Sequence, residues 1–282
     1  MRAWLGSTHP GPAFAVTIVT VVLSIGVGLS PLSTTLLGLA MLAGQFSVGL
    51  SNDWIDAQRD RDAGRTDKPV AIGAISVPAV RASAFITAIV ALALTVPFGP
   101  WPLIAHTVFI VSAWSYNVWL KKTPLSVLPY IVSFGLLPAL VTLCLPASAA
   151  WWALGAGALL GVAAHVANVL PDMETDAATG VRGLPHRLGA RGSGIVIAVS
   201  LAAASALLYV GSPDALQLFG LVLGVALAIA CVVLVLRGVA TRLLFRLIIA
   251  AALLDVVLLA VSGSALVAAS ACPFAPLDQF AS

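Results

Sequence analysis

Charge is scarce in this chain. Only 9% of its 282 residues are Asp, Glu, Lys or Arg, against about 25% in soluble domains. With 60% hydrophobic residues, that shortage excludes an ordinary soluble domain and leaves a polytopic membrane protein. The three cysteines, Cys144, Cys231 and Cys272, have no ligand-like spacing, which excludes a disulfide framework or a zinc site. Cys144 and Cys231 lie in apolar runs and read as core packing. The net charge of +3 is spread over short loops, so it is no nucleic-acid footprint. No GxxxxGK[ST] occurs, so a nucleotide P-loop is not supported.

What is present is a series of apolar runs. A span needs roughly 20 mostly apolar residues. Nine such runs are read at about 13–29, 33–53, 79–97, 101–120, 124–145, 149–169, 193–211, 216–236 and 243–264. The fold class expected is all-α, one bundle of nine transmembrane helices occupying residues 1–282 as a single domain. The basic residues support this count. Arg2, Arg59, Arg61, Arg65, Lys68, Arg81, Lys121, Lys122, Arg182, Arg187, Arg191, Arg237, Arg242 and Arg246 fall on the same side once the loops alternate. By the positive-inside rule that side is cytoplasmic, with the N-terminus inside and Asp278 outside. The localisation expected is the cell membrane, multi-pass, in a bacterial inner membrane. Two longer polar stretches, about 54–78 and 170–192, face the cytoplasm.

The first of these opens on the densest charge in the chain, Asn52-Asp-Trp-Ile-Asp-Ala-Gln-Arg-Asp-Arg-Asp62. Asn52, Asp56 and Asp60 are spaced by four, so on a helix they stack along one face. Like charges at that spacing repel by a few tenths of a kcal/mol per pair, and a metal ion turns the repulsion into coordination. Mg²⁺ is a hard cation held by a few carboxylates together with substrate phosphates and water. The pattern recurs as Asn168, Asp172 and Asp176, offset by 116 residues and again closing an apolar run. Two such clusters beside membrane spans point to one site built from both halves, because carboxylates there are costly and usually functional. The alternative for either cluster alone is a solvated helix end.

Other constellations surround these clusters. Arg65 and Lys68 follow the first, and cations beside a carboxylate-bound metal suit a polyphosphate; topology signalling alone also accounts for them. The fourth span ends Trp-Ser-Tyr-Asn-Val-Trp-Leu-Lys-Lys-Thr. There Tyr116, Asn117, Lys121 and Lys122 can reach a phosphate between the second and sixth spans. Trp114 and Trp119 read as an interfacial belt. Gln45 and His165 lie deeper on the site-facing stripes, as acceptor contacts or as interhelical hydrogen bonds. His186 reads as a loop histidine. Asp53 and Asp62 either orient neighbours or are solvated. His106 and Asp255 receive no role.

The motif Asn52-Asp53-x-x-Asp56-x-x-x-Asp60 with Lys68-Pro69, and Asp172-Met-Glu-Thr-Asp176 with its Arg-Gly-Leu-Pro-His-Arg-Leu-Gly tail, resemble the paired motifs of the UbiA superfamily of intramembrane prenyltransferases. The segment from Tyr116 to Thr123 resembles that family's fourth-helix ending. The resemblance covers essentially the whole chain. It implies Mg²⁺-dependent transfer of a prenyl group from an allylic isoprenyl diphosphate to a hydrophobic, aromatic or lipid acceptor, with the site toward the cytoplasm. On that resemblance Asp56, Asp60, Asp172 and Asp176 are catalytic. Asn52, Asp56 and Asp60 hold one Mg²⁺, and Asn168, Asp172 and Asp176 hold another. Lys68, Arg65, Tyr116, Asn117, Lys121 and Lys122 bind the diphosphate, and Gln45 and His165 line the acceptor pocket. Lys68 stands where the family usually has Arg, which weakens any bidentate contact there. Two alternatives remain: a terpene cyclase on the same scaffold, which needs the same metal motifs, and a small-molecule transporter with internal duplication.

Overall fold

The computed structural model describes residues 2–237 and 242–268, without the side chains of 242–245. Cys272 and Asp278 lie outside the described residues. Among these residues the structure is helical, with no strand and one isolated antiparallel bridge between Ala149 and Val267. A short α1 (Arg2–Ser7) precedes α2 (Pro10–Gly26), α3 (Pro31–Asp62), α4 (Val77–Thr95), α5 (Pro100–Val118), α6 (Leu128–Thr142) and α7 (Trp151–Val169). Then come a short α8 (Met173–Ala178), α9 (Leu184–Gly211), α10 (Ala215–Leu236) and α11 (Arg242–Val261). Each of the nine apolar runs is thus helical. Among the described residues, five helices are long and apolar enough on their own to cross a membrane: 31–62, 77–98, 151–178, 184–211 and 215–236. Pro10–Gly26 and Leu128–Thr142 are shorter apolar helices.

Two helices overrun the apolar runs they were read from. α3 continues nine residues past 53 to Asp62, carrying the whole first motif. Arg59 and Arg61 in its last turn oppose the negative end of the helix dipole, and Gly64 follows at φ 66°. α9 starts at Leu184, where Pro185 occupies an early helical position that has no use for its missing N–H. Gly189, at φ 68°, breaks the first turn from the rest. The polar stretches read as loops are therefore partly helical.

Sequential helices pack side by side, α2 on α3, α3 on α4, α5 on α6, α6 on α7, α9 on α10 and α10 on α11, while α7 also packs on α9 and α3 on α5. The core holds Leu23, Leu37, Met41, Leu140, Leu201 and Leu208, all sealed. Cys231 is buried in that core, and the Cys144 thiol donates to the Leu140 carbonyl, as core packing requires. Outside, Ile18, Leu32, Ile89, Phe219 and Ile229 are more than half exposed, an apolar coat suited to lipid.

Side-chain contacts gather the ends of α2, α3, α5, α6, α7 and α9 at one end of the bundle. At the opposite end Ala150 donates its N–H to the Leu266 carbonyl at 2.7 Å. Small residues allow the α6–α7 approach. A Cβ on Gly161 would meet the Tyr130 carbonyl oxygen and come within 2.9 Å of Phe134 Cβ. Gly161→Ala should therefore destabilise the protein by about 1–3 kcal/mol, the usual cost of overpacking, seen as a lower unfolding temperature in detergent. Gly11→Ala, where nothing lies within 4 Å of the added carbon, should not. Equal shifts would mean the close approach is no constraint.

Candidate active site

The first motif lies along one face of α3, and the protein's own cations hold it. Asp56 and Asp60 are both 4% exposed. Lys121, in the 3₁₀ turn after α5, donates to both Asp56 oxygens at 2.5 and 2.6 Å. Arg59 donates to Asp56 Oδ2 at 2.8 Å and, longer, to Asp60 Oδ1 at 3.4 Å. Burial pulls the Lys121 ammonium below the ordinary lysine value, and the Asp56 charge pulls it back up. Asn52 turns its amide nitrogen to Asp56 Oδ2 (3.3 Å) and to Asn117 Oδ1 (3.2 Å). Asn117 in turn donates to the Val48 carbonyl (3.0 Å) and Ser51 Oγ (2.8 Å). Asn117 therefore seats the end of α5 on α3, a different task from the phosphate contact the sequence led us to expect.

The second motif shares the spacing but not the backbone. Pro171 cannot continue a helix through its missing N–H, so Leu170–Asp172 form a 3₁₀ turn and Asp176 sits on the separate α8. Asn168 ends α7 and donates to the Tyr130 hydroxyl at 3.4 Å. Asp172 is exposed and Asp176 half-buried, and neither forms an ion pair at contact distance among the described residues. The two motifs nevertheless face each other. Arg65 lies within electrostatic reach of both Asp60 and Asp172, and Arg59 acts on Asp176. Beside them opens a cleft of about 880 Å³, walled by Arg59 and Asp62 on one side and Glu174 and Thr179 on the other; none of the six motif Asn and Asp residues lines it.

Oxygen donors alone make up both motifs, the chemistry a hard cation such as Mg²⁺ requires. Asn52 and Asn168 each commit the amide nitrogen to the protein, which leaves the carbonyl oxygen of each without a partner among the described residues. Among the described residues no three Asp, Glu, His or Cys side chains converge on one point. Mg²⁺ needs no such cage when phosphate oxygens and water complete its shell. The residues therefore fit a cation that arrives with a diphosphate better than one bound alone.

Several expected site residues are placed differently. Lys68 is committed to a neighbouring acid. It donates to Asp53 Oδ1 at 2.8 Å and lies 3.1 Å from His9 Nε2, which is itself 2.9 Å from Asp53. Asp53 is 1% exposed, so it is a buried anchor that needs this cation. Arg65 forms a bidentate pair with Asp67 at 2.8 and 2.7 Å, which holds the Asp67 carboxyl at about 2. Lys122 is exposed beside Lys121. Tyr116 stands edge-on to Tyr130 (5.4 Å) and His165 (5.6 Å), in the field of both Asp56 and Asp176. His165 is sealed and bonded to Ser126 Oγ at 3.0 Å, while Gln45 reaches, among the described residues, only Met41 Sδ at 3.7 Å. Trp119 is 61% exposed, as a belt residue should be. Trp114 instead donates to Ser47 and packs against Trp54 and Phe85. Neither Tyr130, Ser126 nor His9 was singled out from the sequence. His9 left no signal there; its left-handed backbone, φ 51°, is visible only in the fold.

The fold is shared with solved structures. A UbiA homologue from Archaeoglobus fulgidus bound to GPP and Mg²⁺ matches with a TM-score of 0.70 and 13% identity, over 92% of this chain and 99% of that one. A UbiA homologue from Aeropyrum pernix K1 without ligand matches at 0.67 and 18% identity, over 88% and 98%. A digeranylgeranylglyceryl phosphate synthase matches at 0.68 and 13%, over 93% and 98%. No curated protein matches by sequence. At such identities the structures show a common fold alone. A model of the UbiA prenyltransferase family matches residues 13–245, most of the chain; the protein belongs to the UbiA prenyltransferase family.

Proposed function

We propose that the protein transfers a prenyl group from an allylic isoprenyl diphosphate to a hydrophobic acceptor, aromatic or lipid, with Mg²⁺. The observation that carries this is the convergence of two Asn/Asp motifs on one end of an apolar bundle, with both asparagine carbonyl oxygens unengaged among the described residues. Family membership and the GPP and Mg²⁺ bound to the Archaeoglobus homologue support the donor class. The nine-span topology belongs to the same proposal, with the N-terminus and the site toward the cytoplasm of a bacterial inner membrane.

On this reading Asn52, Asp56 and Asp60 face Asn168, Asp172 and Asp176 across the diphosphate. Bound there, Mg²⁺ supplies charge neutralisation to the leaving diphosphate. Lys121 and Arg59 transfer part of their hydrogen bonding from Asp56 to phosphate oxygens. Arg65 and Lys122 add positive charge at the rim, and Tyr116 borders the reacting end of the prenyl chain. The apolar interior holds the chain and keeps water from the allylic centre as its C–O bond breaks. Lys68 acts at one remove, by holding Asp53 beside Asn52. The same apparatus on a closed pocket supports the second reading, a cyclase, and the contiguous rings of Tyr116, Tyr130 and Phe134 are the feature that favours it.

Purified protein given geranyl diphosphate, Mg²⁺ and a set of acceptors should release diphosphate. Asp56→Asn and Asp172→Asn should each lower the rate about 100-fold or more, the scale of losing a leaving-group stabiliser. Full activity in both variants would refute the site. Chelation with EDTA should stop turnover and added Mg²⁺ restore it. Mass spectrometry of products from ten-, fifteen- and twenty-carbon donors separates the two readings. Product only when an acceptor is present means transfer, whereas a cyclic hydrocarbon from donor alone means cyclisation.

A further inference from the structure

Arg59 and Arg65 are engaged by carboxylates, but Arg81, in the second turn of α4, is not. Among the described residues it forms no ion pair and no side-chain hydrogen bond. Its guanidinium lies over the Trp54 ring, with Cζ 5.2 Å from the ring centroid, a cation–π contact. Stacking of this kind uses no acceptor of the protein, so the five N–H donors of the guanidinium remain for another partner. Positive-inside topology accounts for a charge here, but for neither the ring beneath it nor the groove beside it.

That groove, of about 340 Å³, runs between the end of α3 and the start of α4, and its other walls are Trp54, Val77, Pro78, Ala82 and Phe85. Arg81 is the single charge lining it. Residues four apart stack along a helix, so Arg81, Phe85 and Ile89 form one row of α4 and Ala82, Ile86 and Val90 the next. All six are exposed. At 1.5 Å per residue the first row is about 12 Å long. The order along it is cation, ring, then hydrocarbon, which matches a phospholipid with its phosphate at the interface and an acyl chain along the helix. A soluble anion makes no use of the apolar rows. The groove is also separate from the proposed donor site. Trp54 is two residues from both Asn52 and Asp56, and residues two apart on a helix do not share a face. Trp54 packs on Phe85 of α4, whereas Asp56 meets Lys121 after α5.

We propose that this groove binds one anionic phospholipid of the surrounding bilayer, with its phosphate on Arg81 and an acyl chain along Phe85, Ile86 and Ile89. Guanidinium and phosphate match in charge and in fork geometry. An anionic headgroup suits the groove better than a zwitterionic one. No carboxylate lines it to meet a choline or ethanolamine cation, and Arg81 already covers the Trp54 ring. The lipid would bridge α3 and α4 behind the first motif.

Native mass spectrometry of the full-length protein in detergent tests this, with dioleoyl phosphatidylglycerol or dioleoyl phosphatidylcholine titrated in and the Kd of the first bound lipid measured. Wild-type protein should hold the phosphatidylglycerol about fivefold more tightly, the scale of one interfacial charge contact. Arg81→Gln should remove that preference, and Arg81→Lys, which keeps the charge without the fork, should retain part of it. If Arg81→Gln does not fold, Ala82→Glu, which sets a like charge against the phosphate, carries the same expectation. Arg237→Gln, at another exposed arginine beside a helix end, should leave the preference unchanged. Equal affinity of wild-type protein for the two lipids, an undiminished preference in folded Arg81→Gln, or an equal loss in Arg237→Gln overturns the site. Displacement of phosphatidylglycerol by soluble glycerol 3-phosphate overturns it too, since the acyl track would then contribute nothing.

Discussion

A carboxylate buried at the end of an apolar bundle must have a cation, and the pair of Asp56 with Lys121 is where this structure meets that demand. Both side chains are about 95% buried, and both carboxylate oxygens are engaged. Removing one partner of such a pair typically costs about 3–5 kcal/mol, because the other charge is left stranded. The contact ties the end of α3 to the turn after α5, and Asn52, Asn117 and Arg59 arrange themselves around it. Asp53 repeats the solution a turn away with Lys68 and His9, fastening the N-terminal segment to the first polar stretch. In both places helix ends are positioned by the need to pair a buried acid.

The two motifs are therefore not equivalent, despite their shared spacing. The first is neutralised by lysine and arginine. The second is open, because Pro171 splits its helix and leaves Asp172 exposed. On the proposed function, a diphosphate approaching this end of the bundle meets one motif whose own cations, Lys121 and Arg59, can be shared with it and another whose carboxylates carry no cation among the described residues. In the structure Lys121 faces an aspartate where the sequence pointed to a phosphate; on the proposed function that contact is its resting task.

Much of this was legible in the sequence. The spacing of four placed Asn52, Asp56 and Asp60 on one helix face, and the same stripe arithmetic placed His165 beneath Asn168. Each apolar run falls on a helix among the described residues, since burial in lipid leaves little choice of backbone. Periodicity says nothing about partners across the bundle, however. That Lys121 would meet Asp56, 65 residues away, or that His9 would meet Asp53, depends on how helices pack, and no local signal encodes it. The equal spacing of the second motif misled about its shape because Pro171, in the position matching Ile55, breaks the helix the spacing implied. Trp114 looked like a membrane-interface anchor by its place near a span end, yet the neighbouring helices enclose it.

The central claim is that the two motifs bind metal and diphosphate together, the cation drawing most of its shell from phosphate once the protein's own cations let go of Asp56. Calorimetric titration of Mg²⁺ into the purified protein, with and without a non-hydrolysable geranyl thiodiphosphate, tests it most directly. The account predicts weak Mg²⁺ binding alone and at least about tenfold tighter binding with the analogue, with the same factor appearing when the order of addition is reversed. Equally tight Mg²⁺ binding in the absence of the analogue would contradict it.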